Sequence, residues 1–395
     1  MNQPESSYDF FSPNKIVFGW GRLREAGSLV SEYGRRAILV SGSRTLQKVG
    51  VVNRLIQTLE DSKISIAAQF QIPTEPTTAQ IDGFVKQLAA VDSNFNDAVF
   101  VALGGGAAID TAKALSAMAV NAKGKSIVDF LEGVGTGAAI TATPLPIIAI
   151  PTTAGTGAEA TKNAVVSVER PAVKKSVRHP GLMPKVALVD PELTTYCPVS
   201  VTSSSGIDAL TQLIESFISK KAQPIPQALA IQGLGLIWRS LETAVADGEN
   251  QSAREKVAHA ALLSGMCLAN SGLGMAHGVA AALGAHAHVS HGVACACMLP
   301  IALETNKQSA LSELSALANF LLPPSRNYGL ARIDEFIDQI KNICQNLHMP
   351  TRLKDLGVKK ELLPLIARDS QGNSMNGNPK TLTQTELIDI LEKNW

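Results

Sequence analysis

Asp208 and Gln212 stand four residues apart in Asp208-Ala-Leu-Thr-Gln212, a segment with helical spacing, so both side chains share one face a turn apart. Further on, an uncharged stretch carries Gly-Met-Ala-His277-Gly and, fourteen residues later, Ser-His291-Gly. One carboxylate, one amide oxygen and two imidazoles make a mixed nitrogen and oxygen donor set suited to a divalent transition metal. The bland alternative for any one of these histidines is a hydrogen-bonded core residue, and spacing alone does not decide whether the four converge. Along one straight helix His277 and His291 would lie about 21 Å apart. They share an ion only if the chain turns back, which Gly284 and the His286-Ala-His288-Val-Ser segment permit.

A second cluster lies upstream, in Val101-Ala-Leu-Gly104-Gly105-Gly106-Ala-Ala-Ile-Asp110. It reads as a strand ending at the glycines and a helix starting after them. Glycines let a backbone approach a pyrophosphate, and a helix start offers N–H groups and partial positive charge. A tight strand-to-helix turn is the structural alternative. The pattern is not Gly-x-Gly-x-x-Gly and does not follow the first strand, which disfavours an ordinary Rossmann domain. A second loop after a buried strand, Pro151-Thr152-Thr153-Ala154-Gly155-Thr156-Gly157-Ala158-Glu159, could wrap the ribose and nicotinamide end of a dinucleotide, or merely satisfy its own backbone. After another strand comes Ser41-Gly42-Ser43-Arg44, with no carboxylate for an adenosine 2′-hydroxyl. A hydroxyl and an arginine there tolerate a 2′-phosphate, so NADP(H) is admitted alongside NAD(H); a solvated surface Arg44 is the alternative. Lys162 and Arg178 are further candidates for an anionic cofactor or substrate group, or for plain surface residues. A nucleotide half followed by a metal half points to hydride transfer at a metal-polarised C–O bond, with Asp208, His277 and His291 as the catalytic set.

The elements that must position these groups are legible in outline. Lys15-Ile-Val-Phe-Gly, Arg36-Ala-Ile-Leu-Val-Ser, Ile64-Ser-Ile-Ala-Ala-Gln-Phe, Asp97-Ala-Val-Phe-Val-Ala-Leu, Pro146-Ile-Ile-Ala-Ile-Pro and Val186-Ala-Leu-Val-Asp read as strands. Helical patterns over 51–61 and 78–90 lie between them. This alternation with near-continuous apolar strands predicts a parallel sheet covered on both faces. After about Pro198 strand signals stop, and almost every segment to Trp395 has helical spacing. The expectation is an α/β domain over 1–199 and an all-α domain over 200–395.

Bulk properties narrow the class. The 395 residues are 45% apolar and 17% charged, with 35 basic against 34 acidic side chains for a net +1, so no basic face calls for nucleic acid. Five cysteines, an odd number without Cys-x-x-Cys, argue against a disulfide framework, and Cys295 and Cys297 read as core packing. Between Lys256 and Glu304 there is no charged residue, long enough to span a bilayer. It is rich in alanine, glycine and histidine and lacks Lys/Arg flanks, so a buried helix pair is expected and no membrane partner. The N-terminus has no basic segment followed by an apolar one, and a cytoplasmic, reduced compartment fits.

With both halves read, the chain resembles the iron-containing (group III) alcohol dehydrogenases, which share the dehydroquinate-synthase-like fold. The matching stretches are Gly104-Gly-Gly-Ala-Ala-Ile-Asp110-Thr-Ala-Lys113, Pro151-Thr-Thr-Ala-Gly-Thr-Gly-Ala-Glu159, Gly206-Ile-Asp208-Ala-Leu-Thr-Gln212-Leu-Ile-Glu215, Ala269-Asn-Ser-Gly-Leu-Gly-Met-Ala-His277-Gly, His291-Gly-Val-Ala and Ser374-Met-Asn-Gly-Asn-Pro. Their order and spacing agree over nearly the whole chain. The resemblance implies an N-terminal nucleotide domain, a C-terminal helical metal domain, a cleft between them and a homodimer formed through the N-terminal strand region. It also implies a metal, Fe²⁺ or Zn²⁺, held at the positions of Asp208, Gln212, His277 and His291. Two positions depart from the pattern. The family's second ligand is usually histidine where this chain has Gln212, and a histidine often found near the nicotinamide is Ala281 here. A neutral amide is a weaker ligand than imidazole, and His286, His288 or water is left to relay protons. The resemblance includes a subgroup with Asp-Ala-Leu-Thr-Gln and a small residue at the later place. The expected activity is NAD(P)-dependent interconversion of an alcohol and an aldehyde or ketone. The alternatives are a metal-independent reductase of the maleylacetate type and a nucleotide-binding protein without catalysis.

Overall fold

Strands that are apolar on both faces need cover on both sides. The computed structural model describes residues 7–91, 95–170 and 172–395, so the first part of the N-terminal stretch read for a targeting segment lies outside the described residues. The strands are β1 (Lys15–Phe18), β2 (Arg36–Ser41), β3 (Ser65–Gln71), β4 (Ala98–Gly104), β5 (Ile147–Pro151), β6 (Asn163–Val168), β7 (Val173–Arg178) and β8 (Val186–Val189). Six of them form one parallel sheet in the order β1-β8-β5-β4-β2-β3. The helices of this half are α1 (Ala26–Ser31), α2 (Arg44–Lys48), α3 (Val51–Asp61), α4 (Thr78–Val91) and α5 (Gly106–Asn121). Ile38, Val40, Phe100 and Ala102 face Ile81 of α4 and Ile109 and Leu115 of α5, while Ala37, Leu39, Val99 and Val101 face Leu55 and Leu59 of α3. Each large side chain so buried contributes roughly 2 kcal/mol by leaving water. The six expected strands are all present. The antiparallel hairpin β6–β7 is an addition that the sequence reading did not contain; its second strand, Val-Lys-Lys-Ser-Val-Arg, is too polar to stand out as a strand.

Connectivity creates the place for a ligand. β2 leads to β3 on one side and β4 leads to β5 on the other, so the chain diverges at the C-terminal ends of two neighbouring strands, where open α/β sheets bind ligands. There Gly42 donates its N–H to the Leu103 carbonyl at 2.9 Å. A Cβ on Gly104 would stand 3.1 Å from Gly42 Cα, so the two backbones meet at a distance that side chains would prevent.

From Val199 on, the described elements are helical: α6 (Val199–Ile218), α7 (Pro224–Ile237), α8 (Leu241–Ala246), α9 (Gln251–Ser271), α10 (Met275–Ala287), α11 (His291–Asn306), α12 (Leu311–Leu321), α13 (Leu330–Asn346), α14 (Leu363–Asp369) and α15 (Gln384–Lys393), with short 3₁₀ turns between some of them. Among the described residues no single helix is long and apolar enough to cross a membrane. The uncharged stretch runs through α9 and α10, which meet at a 99° bend. Gly284 stays within α10 and gives room to Lys174, whose Nζ lies 2.6 Å from where its Cβ would be. The reversal that brings α11 back falls within the expected His286-Ala-His288-Val-Ser segment, at His288 in the left-handed region at φ 54° with Val289 and Ser290, and not at Gly284.

The central helix α6 is buried over its whole second half, yet carries Asp208, Gln212 and Glu215 on one face. Glu215 is answered by the start of α10: its carboxylate accepts N–H bonds from Gly274 at 3.1 Å and Ala276 at 2.7 Å. The Asn378 amide oxygen accepts the Met275 N–H at 3.0 Å, so two elements distant in sequence satisfy the first turn of α10. In the other half, the loop after β5 is pinned to α5 by Lys113. That fully buried ammonium donates to the carbonyls of Ala158 and Thr161 at 2.6 and 2.7 Å and to Thr161 Oγ1 at 2.7 Å. The same loop crosses α9 where Gly157 faces Gly265; a Cβ on Gly157 would lie 2.3 Å from Gly265 Cα. Beside this crossing Glu159 is buried, and burial pushes its carboxyl up to about 7 although Lys113 pulls it down.

Two outcomes follow from these ties. Glu215→Ala leaves the N–H groups of α10 and the imidazole of His277 without their acceptor, and should lower stability by about 3 kcal/mol or more; Glu215→Gln should lose less. An unfolding midpoint in urea that is the same for wild type and Glu215→Ala contradicts this role. Glu159 has a folded pKa of about 7 against the ordinary 4.5. Its contribution is therefore full below the ordinary value and lost as the pH rises through about 7. Urea midpoints compared at about pH 4.5 and about pH 8 should show a smaller drop for Glu159→Gln than for wild type.

Candidate active site

A cleft of about 560 Å³ runs between the start of α5 and the helices α6, α10 and α11. Gly106, Ala107, Asp110 and Thr156 line one end, and Asp208, Gln212, His277 and His291 line the other.

At the first end, α5 begins at Gly106 with Gly105 as its N-cap and no side chain capping the first turn. A helix start of this kind offers free N–H groups and partial positive charge to an anion. Thr153 and Thr156 lie over the glycines: a Cβ on Gly105 would come 3.1 Å from Thr153 Oγ1, and one on Gly106 2.9 Å from the Thr156 side chain. The two loops expected to cooperate are thus in contact. Thr152 belongs to the scaffold beneath them. It is buried, gives its N–H to the Gly104 carbonyl at 3.0 Å, and accepts the Cys197 thiol at 3.1 Å. Asp110 lines the cleft and accepts the Val165 N–H at 3.1 Å; burial pushes its carboxyl up to about 6 against the pull of Lys113. Gly42 and Ser43 stand beside Gly104 at the end of β2, outside the lining of the cleft, and Ser43 caps α2 without a side-chain hydrogen bond. Lys162 also lies outside the lining, with Nζ 3.3 Å from the centre of the Phe11 ring. Arg178 lines the cleft, paired with Glu132 at 2.9 Å.

At the other end the reversal after α10 brings three predicted donors together. His277 Nε2 lies 3.1 Å and His291 Nε2 3.8 Å from Asp208 Oδ1, and the two rings are 5.4 Å apart between centres. His277 Nδ1 is 2.7 Å from Glu215 Oε2, which holds the proton on Nδ1, so that Nε2, facing Asp208, is the nitrogen that would exchange its proton for a metal ion. Gln212 lines the same cleft one turn along α6, its amide oxygen accepting Ser264 Oγ at 2.8 Å.

Cys295 is buried in the helical core, as its reading has it, and its sulfur also joins the cluster. Cys297 is buried in the same core as expected, and Cys295 Sγ is 3.8 Å from His291 Nε2. One donor atom each from Asp208, His277, His291 and Cys295 lie within 4.8 Å of one another. The signal was present in the sequence, since residues 291 and 295 are four apart at the start of a helix and share its face. Burial raises the Asp208 carboxyl, yet His291 and His277 outweigh it and hold it below the usual carboxylate range. His291 is raised by the Cys295 sulfur against burial, with help from Asp208. His277 is raised well above its ordinary value, burial being overcome by Cys295, Asp208 and Glu215. Buried donors that draw protons onto imidazoles form a field that a divalent cation would also satisfy, and the donor set fits one.

Ala281 lines the cleft, so no imidazole stands at that place. His288 is exposed, whereas His286 Nε2 pairs at 2.7 Å with Oδ2 of Asp369, a residue of the cleft wall.

Comparison with known proteins agrees with this architecture. The family model for iron-containing alcohol dehydrogenase matches residues 13–191, and that for the C-terminal region of the Fe-containing alcohol dehydrogenase family matches 202–395. Alcohol dehydrogenase 4 of Saccharomyces cerevisiae is 31% identical over 391 residues, 98% of both chains. The NAD-dependent methanol dehydrogenase of Bacillus methanolicus is 30% identical over 97% of this chain and 99% of its own. The crystal structure of a 1,3-propanediol oxidoreductase superposes with a TM-score of 0.88 at 30% identity, covering 99% of this chain and 100% of the other. An archaeal alcohol dehydrogenase from a Red Sea brine pool, bound to NZQ, reaches 0.91 at 27% identity with both chains fully covered. With the dinucleotide-type helix start and the donor cluster facing one cleft, the chain belongs to the iron-containing alcohol dehydrogenase family and is an oxidoreductase.

Proposed function

We propose that the protein is an NAD(P)-dependent alcohol dehydrogenase that interconverts a small alcohol and its aldehyde or ketone at a divalent metal, Fe²⁺ or Zn²⁺. Residues 1–199 would bind the dinucleotide and residues 200–395 the metal and substrate. The observation that carries this reading is the convergence of Asp208, His277 and His291 at one end of a cleft whose other end is the uncapped start of α5.

The glycines at 104, 105 and 106 and the first turn of α5 would take the pyrophosphate, with Thr153, Thr156 and Asp110 placing the ribose and nicotinamide and the buried Thr152 supporting the loop from beneath. Gly42 and Ser43 would receive the adenosine end, where an exposed Arg44 and no carboxylate admit a 2′-phosphate. Lys162 is placed by this reading near an anionic group of the cofactor. Asp208, Gln212, His277 and His291 would hold the metal, and Glu215 would keep His277 oriented through its Nδ1–H. When bound, the ion supplies Lewis acidity that polarises the alcohol or carbonyl oxygen. Asp208, His277 and His291 would act by fixing where that charge sits. Proton exchange with solvent would pass through Asp369 of the cleft wall and His286 behind it, since Ala281 has no proton to give. A homodimer formed through the N-terminal strand region completes the reading.

The deciding experiment is metal analysis of the purified protein alongside oxidation of NADH and NADPH with a panel of aldehydes, ketones and oxoacids. Carbonyl-dependent oxidation that is lost with a chelator and regained with metal is expected. Turnover that is indifferent to chelation would instead support a metal-independent reductase, and binding of NADPH without any turnover a non-catalytic protein. His277→Ala should lose bound metal and about 100-fold or more in kcat/KM while still unfolding cooperatively. Gly106→Val, which pushes a side chain into Thr156, should weaken NADH binding at least about 10-fold by fluorescence titration, about 1.4 kcal/mol. Arg44→Ala should raise the KM for NADPH and leave that for NADH unchanged.

A further inference from the structure

We propose that Cys295, in place of Gln212, is the fourth protein donor of this metal site, and that the site is therefore a sulfur-containing one selective for zinc-like ions over iron. The inference rests on the reading of the cluster as a metal centre and specifies its fourth donor. Cys295 is fully buried on α11, one turn after His291 and on the same face, an arrangement in which two ligands grip one ion from a single helix. Its sulfur faces the cluster, 3.8 Å from His291 Nε2.

The separations match an ion held by this set. With zinc–nitrogen and zinc–oxygen distances near 2.0 Å and zinc–sulfur near 2.3 Å, a tetrahedral site has nitrogen–oxygen edges of roughly 3.3 Å and nitrogen–sulfur edges of roughly 3.6 Å. The corresponding values here are 3.1 Å from His277 Nε2 and 3.8 Å from His291 Nε2 to Asp208 Oδ1, and 3.8 Å from His291 Nε2 to Cys295 Sγ, with all four donor atoms within 4.8 Å, so the set would draw together slightly around an ion. Gln212 is differently placed. Its amide oxygen is engaged by Ser264 Oγ at 2.8 Å, and a neutral amide is the weakest donor of the five candidates. On binding, the thiol loses its proton to solvent and the sulfur gives its electron pair to the ion, with no change of oxidation state. Thiolate softens the donor set and favours zinc or cobalt(II) over iron(II). Four protein donors leave substrate to enter as a fifth ligand, an expansion that zinc accepts.

Cobalt(II) substitution tests this without recourse to turnover. The apo-protein loaded with Co²⁺ should develop visible d–d bands of tetrahedral or five-coordinate cobalt and an intense near-ultraviolet sulfur-to-cobalt charge-transfer band. In Cys295→Ser the charge-transfer band should vanish while d–d bands persist, and in Gln212→Ala both should remain. Competition between Zn²⁺ and Fe²⁺ under anaerobic conditions should show zinc preference falling on the order of tenfold in Cys295→Ser. Cobalt bound to wild type with d–d bands and no charge-transfer band would overturn the role of Cys295 and leave the metal centre standing. Loss of the ion in Gln212→Ala with an unchanged charge-transfer band in Cys295→Ser would also overturn it. No cobalt uptake at all would overturn both this inference and the metal reading on which it rests.

Discussion

Asp208 and Glu215 are two carboxylates on one face of a helix otherwise sunk in hydrocarbon, and the free energy of burying them dictates what surrounds that face. A carboxylate removed from water needs hydrogen-bond donors or a cation, or it takes a proton. Glu215 is met by N–H groups at the start of α10 and by the Nδ1–H of His277. Asp208 is met by the other nitrogen of the same imidazole and, more distantly, by His291. One histidine therefore bridges a carboxylate that only holds it and a carboxylate that works beside it. The break between α9 and α10, the reversal at His288 and the packing of Asn378 against Met275 are the backbone consequences of supplying those partners.

The sheet half solves a different problem, that of bringing bare backbone to an anion. Gly42 against Gly104, and Gly105 and Gly106 under Thr153 and Thr156, keep side chains out of a corner where two strand ends and a helix start meet. Lys113 makes that corner rigid by holding the loop after β5 to α5 through carbonyl oxygens, so its charge is spent on architecture inside the fold. Because the same loop crosses α9 at Gly157 and Gly265, the nucleotide-type corner and the donor cluster share one connection and their separation across the cleft is set by it.

Much of this was legible from residue order. The six apolar runs became the six strands of the parallel sheet, and 51–61 became α3 with the expected ends. The hairpin β6–β7 was not legible, because Lys174, Lys175 and Arg178 mask an alternation that only packing against the cleft makes into a strand. The return of the chain was legible as the segment 286–290, but not the residue that makes it, since a left-handed histidine leaves no composition signal. Cys295 was assigned to the core with Cys297 because both are small and apolar in pattern. Which of two buried thiols looks towards a carboxylate depends on helix rotation, and rotation is set by neighbours distant in the chain.

The sequence by itself determined the chemistry on offer: a carboxylate and an amide on one helix face, two imidazoles in an uncharged run, glycines after a buried strand, and periodicities that assign each to an element. Local physics suffices for these, since a 3.6-residue repeat or an alternating strand is decided within a few residues. Only the tertiary structure decided that His277 and His291 meet at Asp208, that Glu215 selects the nitrogen His277 presents, and that Cys295 stands with them. Those are contacts between segments up to some 80 residues apart, and their distances depend on how the helices cross rather than on anything a single segment contains.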